Sequence, residues 1–123
     1  MYTLDTNTLI YYLDNDPKAI RLLEDFAARG ILMYVSVITV VELFSRPNIA
    51  QAEKDLIEGL LESFVIVPVD MQLARIAGSL RSRRKMKTPD SVIAATAIFT
   101  ETTLVTRNMA DFETVELLKV LKV

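Results

Sequence analysis

Short apolar runs alternate with longer stretches of helical periodicity along this chain. Tyr2 to Asp5 predicts a short strand, and Thr6 to Leu13 follows it as a helix. Asp14-Asn15-Asp16-Pro17 breaks that helix. Asp16 suits an N-cap and Pro17 the first helical position, so a second helix begins there. Its apolar residues are Ile20, Leu22, Leu23 and Phe26, and Gly30 ends it. Ile31 to Val35 predicts a strand, after which Ser36 can cap a helix running to Ser45. Asn48 to Glu62 is amphipathic and helical. Phe64 to Val69 predicts a strand with its proline near the end. Asp70 caps a helix through about Lys85, with Leu73, Ile76, Ala77 and Leu80 on one face. Thr88-Pro89 starts another helix to about Thr100, and Thr103 to Thr106 predicts a strand. The tail from Phe112 to Val123 fits helix and strand equally.

Strands that alternate with helices predict a parallel sheet covered on both faces, built as one domain over residues 1–123. Ligands of such sheets bind outside the carboxyl ends of the strands. The polar residues just after each strand are therefore the first candidates for chemistry.

Composition narrows that chemistry. The chain has no cysteine and no histidine. Disulfides, thiolate nucleophiles and thiolate zinc sites are excluded. The commonest general base and the commonest transition-metal ligand are missing as well. Catalysis must rest on carboxylates, hydroxyls, Lys or Arg, and the fitting metals are hard, oxygen-seeking cations. The three glycines are scattered, so there is no Gly-rich phosphate loop. MYTLDTNTLI has no basic n-region, and the most apolar stretch, Ile31 to Phe44, is short and contains Glu42. A cytoplasmic protein without a membrane span is expected. The net charge of −2 is uneven: RSRRKMK, Arg81 to Lys87, holds five of the 14 basic residues. The remainder carries nine basic groups against 16 acidic ones, a balance of −7. Such a stretch can grip a polyanion locally.

Four carboxylates fall near the strand ends or helix starts. Asp5 ends the first strand, Glu42 lies on the helix after the second, Asp90 sits in the first turn of the helix before the last strand, Thr103 to Thr106, and Asp111 follows that strand. Each has a structural alternative. Asp5 can cap the first helix, Asp90 can complement a helix dipole, and Asp111 can cap the tail. Glu42 can pair with Arg46 at i+4. Its helix, VITVVELFSR, is apolar nearly all round and is expected to be buried, where an ionised Glu is costly unless paired or bound to a cation. Brought together, the four acids repel, and a divalent cation such as Mg²⁺ or Mn²⁺ neutralises them. Thr6, Asn7, Ser36, Thr39, Thr106 and Asn108 lie close in sequence and can orient carboxylates or water, or simply form caps and turns.

Four segments resemble, in order, the motifs of PIN-domain nucleases, and most closely the toxin subunits of VapBC-type toxin–antitoxin systems. They are LDTN (Leu4 to Asn7), SVITVVEL (Ser36 to Leu43), TPDSVIAATA (Thr88 to Ala97) and LVTRNMADF (Leu104 to Phe112). The resemblance implies a three-layer α/β/α sandwich around a mainly parallel sheet of four to five strands. By motif position it makes Asp5, Glu42, Asp90 and Asp111 the catalytic and metal-holding quartet. It further implies one or two Mg²⁺ or Mn²⁺ ions, RNA as substrate, a homodimer and a cognate antitoxin. Thr6, Asn7, Thr106 and Asn108 are then supporting residues, and Arg81, Arg83, Arg84, Lys85 and Lys87 are candidates to hold RNA. Metal-assisted in-line hydrolysis leaves a 5′-phosphate and a 3′-hydroxyl.

Other classes fit less well. A receiver domain needs an acidic pair after its first strand, and an Asp-nucleophile phosphatase usually shows D-x-D, whereas Asp5 is followed by Thr6-Asn7. The non-enzyme alternative is an RNA-binding or regulatory module with the same fold and no cleavage.

Overall fold

The computed structural model describes residues 1–123. Five strands, β1 (Tyr2–Leu4), β2 (Met33–Ser36), β3 (Val65–Val67), β4 (Thr103–Thr106) and β5 (Lys119–Lys122), form one sheet. Their order is β3-β2-β1-β4-β5, and every neighbouring pair is parallel. The helices are α1 (Thr6–Leu13), α2 (Pro17–Ala28), α3 (Val37–Phe44), α4 (Gln51–Leu61), α5 (Met71–Arg83), α6 (Thr88–Thr100) and α7 (Met109–Phe112).

Alternation along the strands builds the three layers. Leu4 is in register with Val35 and Val105, and these three join one core with Leu9 of α1, Leu23 and Phe26 of α2, Leu43 of α3 and Ile57 of α4. Leu104, one residue out of phase, faces the other way with Ile93, Ala94 and Ala97 of α6. Val67 does the same with Leu73 and Ala77 of α5. The α/β/α sandwich expected from the sequence is therefore present, with all five strands parallel. Leu4 is fully buried in the central strand. Leu4→Ala is expected to cost about 2–5 kcal/mol of unfolding free energy, read by urea denaturation with an unchanged m-value.

Several boundaries move for local reasons. Gly30 adopts φ 65°, and the Ile31 N–H donates back to the Phe26 carbonyl, so α2 ends as predicted in a left-handed cap. The next strand starts at Met33, not Ile31. Asn48 takes the left-handed region, φ 57°, which delays α4 until Gln51. The tail is turn and then strand: the single-turn α7 ends at Phe112, Leu117 turns the chain at φ 65°, and KVLK pairs with β4.

The expectation for α3 needs correction. Its eight residues bury only Thr39 and Leu43, while Val37 and Val41 are 37% and 57% exposed. A two-turn helix at the rim of a sheet has one face to pack, whatever its composition. Glu42 is consequently half-buried, and its partner is not Arg46, which pairs with Glu53 at 2.6 Å. No helix is long and apolar enough to cross a membrane.

Candidate active site

The carboxyl ends of β1, β2 and β4 lie side by side, and the residues that follow them build the site. Asp5 leaves the central strand and caps α1. Its Oδ1 accepts from the Thr8 backbone N–H at 2.8 Å and from the Thr8 hydroxyl at 2.6 Å. Thr8 is itself fully buried, and its hydroxyl also lies 3.2 Å from the Val105 carbonyl of β4. Capping and chemistry are thus compatible in Asp5, because both hydrogen bonds use one oxygen and leave Oδ2 free of protein donors. Asp5 is only 5% exposed, so that free oxygen looks out through a narrow opening.

Glu42 reaches the same region from α3. The Thr6 hydroxyl donates to its Oε1 at 2.6 Å and lies 3.0 Å from the Thr39 hydroxyl, so α1 and α3 are tied at one point. Asp111 is exposed on α7 and is held by Asn108, whose Nδ2 donates to Oδ2 at 2.5 Å. Asn108 is fixed in turn by its backbone N–H, which donates to the buried Thr106 hydroxyl at 3.0 Å. Asp90 occupies the first turn of α6. Ser36 keeps to a capping role, accepting from the Ile38 N–H at 3.2 Å.

Glu42, Asp90 and Asp111 line one cleft of about 590 Å³, together with Asn7 and Asn108. Asp5 does not line its wall, yet its charge is felt there. The Asp90 carboxyl is raised above the usual carboxylate range, first by burial and then by the charges of Asp111 and Glu42, against a lowering by Lys87, with Asp5 adding the smallest raising effect. Three of the predicted acids therefore act electrostatically on the fourth. No three of them stand in a ready-made coordination cage. Like charges spread apart, and neutral donors, Thr6 and Asn108, hold two of the four.

The basic stretch divides. Arg84, Lys85 and Lys87 line the same cleft as the acids. Arg81 does not line it, its Nε donating to the Met86 carbonyl at 3.0 Å, and Arg83 faces a neighbouring groove. The sequence reading missed Thr8, although a hydroxyl three residues after a capping Asp is the signal that would have found it. It also missed Arg107. This guanidinium pairs with Asp16, lies 4.2 Å over the Tyr11 ring and donates to the Val123 carbonyl at 3.0 Å. It thereby anchors the turn just before Asn108.

The chain is similar to known proteins over nearly its whole length. Residues 2–116 match the family described as PIN domain, and the chain belongs to that family. Within it the chain is VapC-like. It is 32% identical over 120 residues to the tRNA(fMet)-specific endonuclease VapC of Salmonella typhimurium, covering 91% of this chain and 89% of that protein. Among solved structures, the DNA-bound VapBC of Salmonella typhimurium contains a chain with TM-score 0.84 and 27% identity, covering 98% of this chain and 96% of that one. A toxin–antitoxin complex from Klebsiella pneumoniae gives TM-score 0.83 at 27% identity, with the same coverage of both chains. VapBC2 of Rickettsia felis, bound to a promoter DNA fragment, shares the fold at TM-score 0.85 and 21% identity over 99% of this chain and 98% of that one.

Replacing Thr6 by Val removes the donor to Glu42 while keeping the side chain's volume. The expected result is a loss of about 10–100-fold in divalent-ion affinity or activity. Isothermal titration with Mn²⁺ and a cleavage assay would check it; an unchanged titration would free Glu42 from any dependence on Thr6.

Proposed function

We propose that this chain is a Mg²⁺- or Mn²⁺-dependent endoribonuclease and the toxin half of a toxin–antitoxin pair. The observation that carries the reading is the electrostatic convergence of Asp5, Glu42 and Asp111 on Asp90, in a cleft that Arg84, Lys85 and Lys87 also line. A site that raises a carboxyl in this way is unfinished without positive charge. Its donors are oxygens, in a chain with no histidine or cysteine, and this set fits a hard divalent cation.

Asp5 and Asp90 would hold one ion directly, with Glu42 and Asp111 completing the set for one or two ions. A bound ion supplies charge neutralisation at the phosphate and a lowered pKa for water. The chain's own residues do the rest. Arg84, Lys85 and Lys87, which line the cleft, take the RNA backbone phosphates. Thr6 and Asn108 keep Glu42 and Asp111 turned toward the scissile group. The carboxylates are the available acceptors for the proton of an attacking water, since the chain lacks histidine. Water adds to phosphorus and the 3′-oxygen leaves, giving a 5′-phosphate and a 3′-hydroxyl.

The likeness to VapC and to chains of VapBC complexes supports tRNA among the candidate substrates and an antitoxin as partner. The exposed Val37 and Val41 on α3 supply apolar surface for the homodimer that the family resemblance implies. The test is cleavage of initiator tRNA and unrelated RNAs by purified protein in Mg²⁺, Mn²⁺ and EDTA, with the new ends mapped. Cutting in metal, none in EDTA, and 5′-phosphate ends are expected. Cyclic-phosphate ends, or undiminished cutting in EDTA, would reject the mechanism.

A further inference from the structure

We infer that the RNA path continues beyond the carboxylate cleft, across Arg84, into a second groove along α5 that holds a downstream or upstream stretch of single strand. The inference rests on the nuclease reading above. The second cavity, about 430 Å³, is lined by Arg75, Ser79 and Arg83 of α5 and shares Arg84 with the cleft. Arg84 ends α5 in extended backbone, is half-buried, and donates to the Thr114 hydroxyl at 3.2 Å. One tethered guanidinium thus stands between the two cavities.

Charge and surface both suit a polyanion with flat apolar faces. Arg75, Ser79 and Arg83 recur every four residues, so they share one helical face over a length of about 12 Å. Neither Arg75 nor Arg83 has a carboxylate partner, although acids outnumber bases in the chain; the three ion pairs use Arg29, Arg46 and Arg107. The groove's own acid is Glu116. Its floor is apolar, made by Ile76, Leu80 and Ile98. Leu117 stands at its lip, 90% exposed on left-handed backbone, where a non-glycine residue costs about 1–2 kcal/mol. A phosphate-only patch has no use for that floor. A splayed nucleotide uses both, with phosphate on arginine and the base against apolar surface. Continuity with the cleft through Arg84 favours RNA over an acidic protein segment, because a strand bound across the carboxylates must run on past them.

The test uses the full chain carrying Asp5→Asn to block cleavage, with labelled mixed-sequence RNAs of about 4 and about 16 nucleotides. Arg75→Ala is expected to weaken the long RNA about fivefold or more and to reduce its log–log salt slope by about 0.7. Binding of the short RNA, held in the cleft, stays as it was. Arg75→Lys restores most of the slope, and Ser79→Glu, on the same exposed face, weakens the long RNA without removing an arginine. With Asp5 intact, the loss falls on KM for long RNA and not on kcat. Wild-type affinity and slope in both Arg75→Ala and Ser79→Glu would overturn the groove while leaving the nuclease intact. So would unchanged RNA binding with weakened binding of the purified antitoxin. Failure of every variant to bind either RNA, with no cleavage by the wild type, would overturn the nuclease reading itself.

Discussion

Asp5→Asn is expected to abolish RNA cleavage, by about a thousandfold or more, while leaving the melting temperature within about 2 °C of the wild type. The two halves of that result come from the two oxygens of one side chain. Oδ1 accepts both Thr8 hydrogen bonds, and an asparagine carbonyl accepts them equally well, so the cap on α1 survives. Oδ2 has no protein donor, and it is the atom an amide would replace with a group that can neither bind a cation nor carry charge. Asp5→Ala separates the roles less cleanly. It removes the cap, worth about 1 kcal/mol, and leaves the Thr8 hydroxyl with the Val105 carbonyl at 3.2 Å as its remaining acceptor. Its inactivity would therefore mix misfolding with lost chemistry. Circular dichroism melts and single-turnover cleavage on the Asn variant decide the matter. Full activity with a normal melt would remove Asp5 from the catalytic set, and lost activity with a melt lowered by many degrees would make it a structural residue only.

That the four acids were legible in the sequence follows from topology. In a parallel sheet every strand points the same way, so residues just after successive strands share one edge. Asp5, Glu42 and Asp111 follow β1, β2 and β4, which are adjacent in the sheet. Asp90 enters from the start of α6, which packs under the same strands. Strand-then-carboxylate is thus a one-dimensional signal for a three-dimensional site. The positions of the arginines were less legible because they depend on helix phase near a terminus. α5 stops at Arg83 and Arg84 turns away in extended backbone, so neighbours in RSRRKMK face different cavities. The exposure of Val37 and Val41 escaped prediction for a related reason. Composition says that a helix is apolar, but only the surrounding layers say which of its faces finds a partner. Arg107 was hidden more completely, since its contacts with Asp16, Tyr11 and Val123 join segments distant in sequence.

Asp90→Asn is expected to make the metal-free protein more stable at neutral pH and to destroy its activity. The folded chain holds the Asp90 proton to higher pH than the unfolded chain does, through burial and through Asp111, Glu42 and Asp5. Between the ordinary carboxylate value and the raised one, the folded state therefore binds more protons than the unfolded state. Stability falls as pH rises through that window, and above it the penalty is fully present. An amide at position 90 carries no charge and escapes the penalty. It also loses the attraction between a carboxylate and the start of α6, about 0.3–1 kcal/mol, so the slope of stability against pH is a sharper readout than the melting temperature at one pH. In EDTA the wild type should lose stability across the window, and Asp90→Asn should lose less. Magnesium reverses the order, because an ion bound only by the folded state adds about 2.7 kcal/mol at a hundred times its Kd. The wild type, with its full carboxylate set, gains most of that, and Asp90→Asn gains little. Cleavage by the variant falls by about a thousandfold, since the group that destabilises the empty site is the one that would hold the ion. Urea titrations from pH 4 to 8, with Mg²⁺ and with EDTA, measure all of this. A wild type whose metal-free stability rises through the window, with no response to Mg²⁺, would remove Asp90 as the point where the four charges meet.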